Sequence, residues 1–398
     1  MLTKIVFLAA MLVVVTCEDD DDTLLAKAHN QFAVNLLKHL ANRDPPTNVF
    51  FSPTSIAAAF GMAYAGARGS SEDELGSVLG HTAVGLTDRA RVLSAYKNLL
   101  QLATSPNVTL DVANMVLAQK GLPVTDHYKQ QLREVFDAEL RSADFANEGP
   151  RVAAEVNAWV RDKTRGKISG ILPVEQPLNI IMFILNAVFF KGTWVTKFDV
   201  ADTVNKPFFN LGTTEVSKPA MHLSTRLSHT RIDALRASAV EIPYQGGKFS
   251  MVVMLPDTPT GLQELRDGLS VATLEELGSN LYRKDVVLRL PKFEMSLAYN
   301  LVPAMQALGL NTVFERSANF SGITEGPPVY ISDAVHKAAV EVNEEGTIAA
   351  AVTGLQSVRP APAAPLLPIL FTVDRPFLYY IRDKNTDRIL FIGEVHGL

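Results

Sequence analysis

Residues 344–365 read EEGTIAAAVTGLQSVRPAPAAP. Two carboxylates and a glycine lead into small side chains, then one arginine, Arg359, and an alternation of proline with alanine. Catalytic chemistry is not found here or elsewhere in the chain. There is no G-x-S-x-G elbow, no H-E-x-x-H zinc helix and no phosphate-cradling P-loop. The eight histidines, at 29, 39, 81, 127, 222, 229, 336 and 396, include no pair at metal-ligand spacing. Cys17 is the sole cysteine and lies at the end of an N-terminal leader, which excludes thiol catalysis and thiolate metal sites from the chain beyond it. A triad can be assembled from distant residues, so these absences weigh against an enzyme without excluding one. No cofactor or metal is expected. What remains is a weakly packing stretch directly before the apolar run LLPILFTVDRPFLYYI, with strand-like sequence on both sides. Such a stretch is expected to be exposed.

The body that must present it is well supplied with core. The chain has 398 residues, 47% hydrophobic and 20% charged, which fits a globular protein. A formal charge of −5 argues against nucleic acid as the main partner. The N-terminus, MLTKIVFLAAMLVVVTC, has a positive start at Lys4, an apolar stretch and a small-residue end, the layout of a secretory signal peptide over residues 1–17. A signal anchor that stays attached is the alternative; no later segment has the apolar length of a membrane span. The domain is then 18–398, secreted and extracellular. Two sequons, at Asn107 and Asn319, are candidate glycan sites on a secreted chain.

Hydrophobic periodicity places helices at LLAKAHNQFAVNLLKHLANRDPP, in the Ala-rich stretch after Ser52-Pro53, and at HYKQQLREVF and RVAAEVNAWVRDKTRGK. VTLDVANMVLAQK reads as a strand, and NIIMFILNAVFFKGTW as one buried on both faces. Strands follow at EVSKPAMHLS, RLSHTRIDAL, SAVEIPYQ, FSMVVMLPD and DVVLRLPKFEMS, with helices between at GLQELRDGLS, ATLEELGSNL and LVPAMQALGL. Helices dominate the first half and strands the second, with no linker between. The expectation is a single α+β unit.

Several of these stretches, in order, resemble blocks of the serpin family of serine-protease inhibitors. They are NVFFSPTSIAAAFGMAYAGARG, VNAWVRDKTRGKISGIL, NAVFFKGTW, LGL…VFERSANFSGI, VYISDAVHKAAVEVNEEGT and FTVDRPFLYYI. The resemblance runs from about Asn30 to the C-terminus. It implies a single domain of three β-sheets surrounded by about nine helices, with an exposed reactive-centre loop over about 344–368. It implies an inhibitor rather than an enzyme, a monomer forming a covalent 1:1 complex with a serine protease. The disulfide-free body and the stretch VNEEGTIAAAVTG resemble arthropod serpins, particularly those of ticks. The runner-up is a serpin-fold carrier, binding protein or protease substrate without inhibitory action.

In that frame the hinge is Glu344, Glu345, Gly346, Thr347, Ile348, Ala349, Ala350, Ala351 and Val352. Gly346 supplies a pivot. Alternation puts Thr347, Ala349, Ala351 and Thr353 on one face, small and uncharged as a sheet interior requires, and Ile348, Ala350 and Val352 on the other. The family's spacing puts the reactive bond at Pro360-Ala361. Arg359-Pro360 and Val358-Arg359 are alternatives, and Pro360 is a poor neighbour for a trypsin-like cut at Arg359. Ser52, Ser55, Asn186 and His336 correspond to the shutter beneath the central sheet, and Trp194 to the breach where the loop first enters. A turn, a helix cap, a satisfied core histidine and an ordinary core tryptophan account for the same residues without function. Glycosaminoglycan binding is not expected, since LTDRARVLSAYKNLL offers only Arg89, Arg91 and Lys97 beside Asp88.

Overall fold

The computed structural model describes residues 19–101, 108–173, 181–345 and 367–398. Six helices come early: α1 (Asp21–Ala41), α2 (Pro53–Gly66), α3 (Ser70–Val78), α4 (Arg89–Gln101), α5 (Asp126–Phe136) and α6 (Phe145–Lys163). Three more follow, α7 (Leu262–Gly268), α8 (Val271–Ser279) and α9 (Val302–Ala307). The first strands are β1 (Val49–Phe51), β2 (Val108–Gln119), β3 (Glu139–Ala143) and β4 (Met182–Gly192). Then come β5 (Val204–Asn210), β6 (Thr214–Ile232), β7 (Ala237–Pro243), β8 (Phe249–Pro256), β9 (Tyr282–Pro291) and β10 (Phe293–Asn300). The last are β11 (Ile331–Val342), β12 (Ile369–Thr372), β13 (Phe377–Asp383) and β14 (Ile389–Val395). Among the described residues no helix is long and apolar enough to cross a membrane.

Local sequence explains the helix starts. Asp20 accepts the Thr23 N–H at 2.8 Å and opens α1 one turn earlier than its apolar face suggests. Ser52 accepts the Ser55 N–H at 3.2 Å, and Pro53 occupies the first helical position of α2, where its missing N–H costs nothing. All of α2 is buried, so it runs through the core. Its small residues make this possible: a Cβ on Gly61 would lie 2.9 Å from the rings of Phe136 and Tyr96.

Five strands form the central sheet in the order β10-β11-β4-β2-β3. β4 is buried along nearly its whole length. Ile184 faces the main core, which includes α2, while Phe183, Leu185, Ala187 and Phe189 pack with Val152, Ala153, Val156 and Val160 of α6. β4 pairs antiparallel with β2 and parallel with β11. The other strands pair as β1-β14-β13-β8-β7-β6-β9-β12, with β5 also on β6.

Three details differ from the periodicity reading. EVSKPAMHLS and RLSHTRIDAL are one strand, β6, which pairs in turn with β5, β9 and β7 along its 19 residues. What the resemblance counts as two sheets is thereby hydrogen-bonded into one ladder beside the central sheet. DVVLRLPKFEMS is conversely two strands. Only Lys292 separates β9 from β10, and the two belong to different sheets. β3, which lacks apolar alternation, was not expected; it forms by pairing parallel to β2 at the sheet edge. Pairing partners decide these points, and no sequence window contains them.

Candidate functional site

The residues assigned to the shutter converge. Tyr299 on β10, His336 on β11, Asn186 on β4 and Asn114 on β2 are successive register partners, a polar row across four strands. All four are buried. His336 Nδ1 lies 2.6 Å from Asn186 Oδ1, and the Ser52 N–H donates to His336 Nε2 at 3.1 Å. A backbone N–H can only donate, so Nε2 carries the lone pair and Nδ1 the proton. Burial holds the imidazole pKa down to about 3, which keeps the ring neutral. Asn186 Nδ2 then donates to Ser55 Oγ at 2.6 Å and to Asn114 Oδ1 at 2.7 Å. Ser52 Oγ donates to the Leu390 carbonyl at 2.6 Å, which ties the N-terminus of α2 to β14.

The network is satisfied and bridges the one parallel pair, β4 and β11, in the central sheet's interior. Polar links of this kind can be remade around a new strand, which a packed apolar seam cannot. Asn114 and Tyr299 were not singled out from sequence. The signal for Asn114 was an amide in the otherwise apolar run VANMVLA.

Trp194 closes the upper end of the same pair. It is fully buried, stacked on Tyr244 with ring centroids 4.3 Å apart. Its indole N–H donates to the Asn343 carbonyl at 2.9 Å, its backbone N–H to the Glu345 carbonyl at 3.2 Å, and the Phe198 N–H to the Glu344 carbonyl at 2.9 Å. The chain leaving β11 is therefore held at three consecutive carbonyls by the segment that follows β4. Glu344 is buried and bonds Lys292 Nζ at 2.8 Å. Burial pushes its carboxyl up, but the Lys292 ammonium and hydrogen bonds outweigh that and hold it below its usual range. Glu344 and Glu345 are thus both tied to the body of the fold. Lys292, the one-residue link between the two sheets, was also missed from sequence.

Gly346, Thr347, Ile348, Ala349, Ala350, Ala351, Val352, Val358, Arg359, Pro360 and Ala361 lie outside the described residues, as does Asn107. Asn319 is exposed, and its Oδ1 accepts the Ser321 N–H at 3.3 Å in a turn.

The whole arrangement has counterparts. The chain matches the family described as Serpin (serine protease inhibitor) over residues 27–397. It is 40% identical over 398 residues to Iripin-2 of Ixodes ricinus, covering 99% of each chain. It is 38% identical over 405 residues to Iripin-8 of the same organism, covering 100% of each. Among solved structures, a thyroxine-binding globulin complex with thyroxine superposes at TM-score 0.84 with 28% identity, covering 94% of this chain and 99% of that one. A central sheet bridged by a satisfied polar row, a tryptophan-held exit from β11 and these whole-length matches lead to one conclusion: the chain belongs to the serpin family.

Proposed function

We propose that this secreted chain traps serine proteases by offering residues 346–366 as bait and then inserting the cut loop between β4 and β11. The observation that carries the reading is the junction of β11 with the loop. β11 is parallel to β4, and its exit is held by Trp194. A chain turning back at Gly346 would run antiparallel to both strands and could pair with each.

The lengths agree. β11 has 12 residues, roughly 40 Å at ~3.3 Å per residue. Residues 346 to 359 could span that distance as one strand. Thr347, Ala349, Ala351 and Thr353 would then face one side of the sheet without burying a charge.

The chemistry belongs to the protease. Its serine attacks the carbonyl of the residue before the cut, the new N-terminus departs with the downstream part of the loop, and an ester joins the two proteins. Insertion of the freed strand releases energy stored in the uncut form and carries the ester away before water completes hydrolysis. The chain supplies no acid, base or nucleophile, and it is not an enzyme. The bond is assigned to Pro360-Ala361, with Arg359-Pro360 and Val358-Arg359 as alternatives. Removal of residues 1–17, and glycans at Asn107 and Asn319, belong to the same reading.

The test is incubation of the mature protein with trypsin-like, chymotrypsin-like, elastase-like and prolyl-cleaving proteases. Products are run on a denaturing gel, with mass spectrometry of the released C-terminal peptide. A complex that survives denaturation is expected, and the first residue of the peptide names the bond. Pro360 favours a second outcome, cleavage without a complex, which would make the chain a substrate or carrier of serpin fold.

A further inference from the structure

β12, which follows the loop, joins a sheet whose outer face is charged. On β9, Val286, Leu288 and Leu290 are buried, so Arg283 and Arg289 point to the opposite side. Register sets His222 of β6 opposite Arg289 and Arg226 opposite Asp285. On the other flank Leu370 of β12, 75% exposed, lies beside Val287.

The positive charge on this face is poorly compensated. Arg226 and Asp285 approach only to 3.9 Å, and among the described residues neither Arg283 nor Arg289 has an acid within ion-pair distance. On the neighbouring hairpin Lys206 stands directly opposite Lys218, a like-charge pair that costs stability. The loop cannot neutralise any of them, because residues 346–366 contain no Asp or Glu. The face is also continuous with the bait: β12 starts at Ile369, three residues beyond the loop's end.

We infer that the outer face of β6, β9 and β12 docks an acidic surface of the protease held at the loop, outside that protease's catalytic cleft. Uncompensated arginines around an exposed leucine are what an interface of complementary charge uses to raise the encounter rate. The inference rests on the inhibitor reading, with the face adding specificity that the ambiguous cut site lacks.

Anionic and cationic trypsin share a specificity and differ in surface charge, so they isolate this effect; the comparison, and every variant in it, is made in a P360A background, which removes the proline that blocks cleavage after Arg359. The measured quantity is the second-order rate at which each consumes the intact loop, at 50 mM and 300 mM NaCl, between which the Debye length falls from roughly 14 Å to roughly 6 Å. Encounter precedes both trapping and plain cleavage, so the rate reports on the face whichever product forms. Complex against cleaved product on the gel separately decides the inhibitor reading. Anionic trypsin should react about tenfold faster at low salt, a gap that high salt and R283E/R289E both close. The control R133E/R161E, on α5 and α6, should leave the gap intact. Equal rates for the two trypsins, an unchanged gap in R283E/R289E, or no attack by anionic trypsin at low salt would each overturn the inference. Acceleration by heparin that R283E/R289E abolishes, with the two trypsins otherwise equal, would assign the face to a polyanion instead.

Discussion

Acid should loosen the central sheet through His336, and H336Q should remove that part of the sensitivity. The imidazole is fully buried, its Nε2 faces the Ser52 N–H, and burial holds its pKa down to about 3. In the unfolded chain the pKa returns to about 6.5. As pH falls through 6.5 the unfolded chain takes up a proton that the folded one refuses. The stabilisation is therefore complete above pH 6.5 and drains away between pH 6.5 and 3, at about 1.4 kcal/mol per unit. At pH 5 the loss is about 2 kcal/mol, roughly thirtyfold in an equilibrium constant. Glutamine offers one acceptor and one donor and does not titrate in this range.

Two further histidines act in the same direction. His29 and His81 lie 3.4 Å and 3.1 Å from the Tyr96 hydroxyl, both with pKa lowered by burial, His81 to about 4. They remain in H336Q, so the difference between the two proteins isolates the shutter. The assay is urea unfolding at pH 7.5, 6.5, 5.5 and 5.0, followed by tryptophan fluorescence at low protein concentration. H336Q should be the less stable protein at pH 7.5 and should lose about 2 kcal/mol less between pH 6.5 and 5. Parallel losses in the two proteins would refute the reasoning.

Three other outcomes follow from the same geometry. Ala349→Arg should convert the inhibitor into a substrate, because inserting the guanidinium costs several kcal/mol of desolvation, and the gel should show cleavage with no complex. Asn114→Ala removes the acceptor for Asn186 Nδ2 in a closed row and should cost about 2 kcal/mol, read as a fall of about 2–3 °C in the thermal midpoint of a domain this large. Trp194→Phe keeps a ring against Tyr244 and loses the bond to the Asn343 carbonyl. Hydrogen exchange at residues 343–345 should speed up several-fold, matching about 1 kcal/mol.

Much of this protein is local in origin and could be read directly. Ser52-Pro53 followed by small residues announced a capped, close-packed α2, and an unbroken apolar run announced β4, buried on both faces. Ordered blocks point to the family, and the resemblance assigns Ser52, Ser55, Asn186, His336 and Trp194. Other features depend on pairing across long sequence separations. Nothing local says that β6 continues through Pro219, that Lys292 ends one sheet and begins another, or that Asn114 stands in register with Asn186.

What the sequence alone determined is most of the helices, the buried strand β4 and the chemical character of the loop, since propensity, capping and burial periodicity act within a few residues. The tertiary structure decided which polar groups meet. His336 is a neutral bridge because the fold buries its ring and aims a backbone N–H from 284 positions away at Nε2. The arginines of β9 form one charged face because register and the alternation of strand side chains put them there.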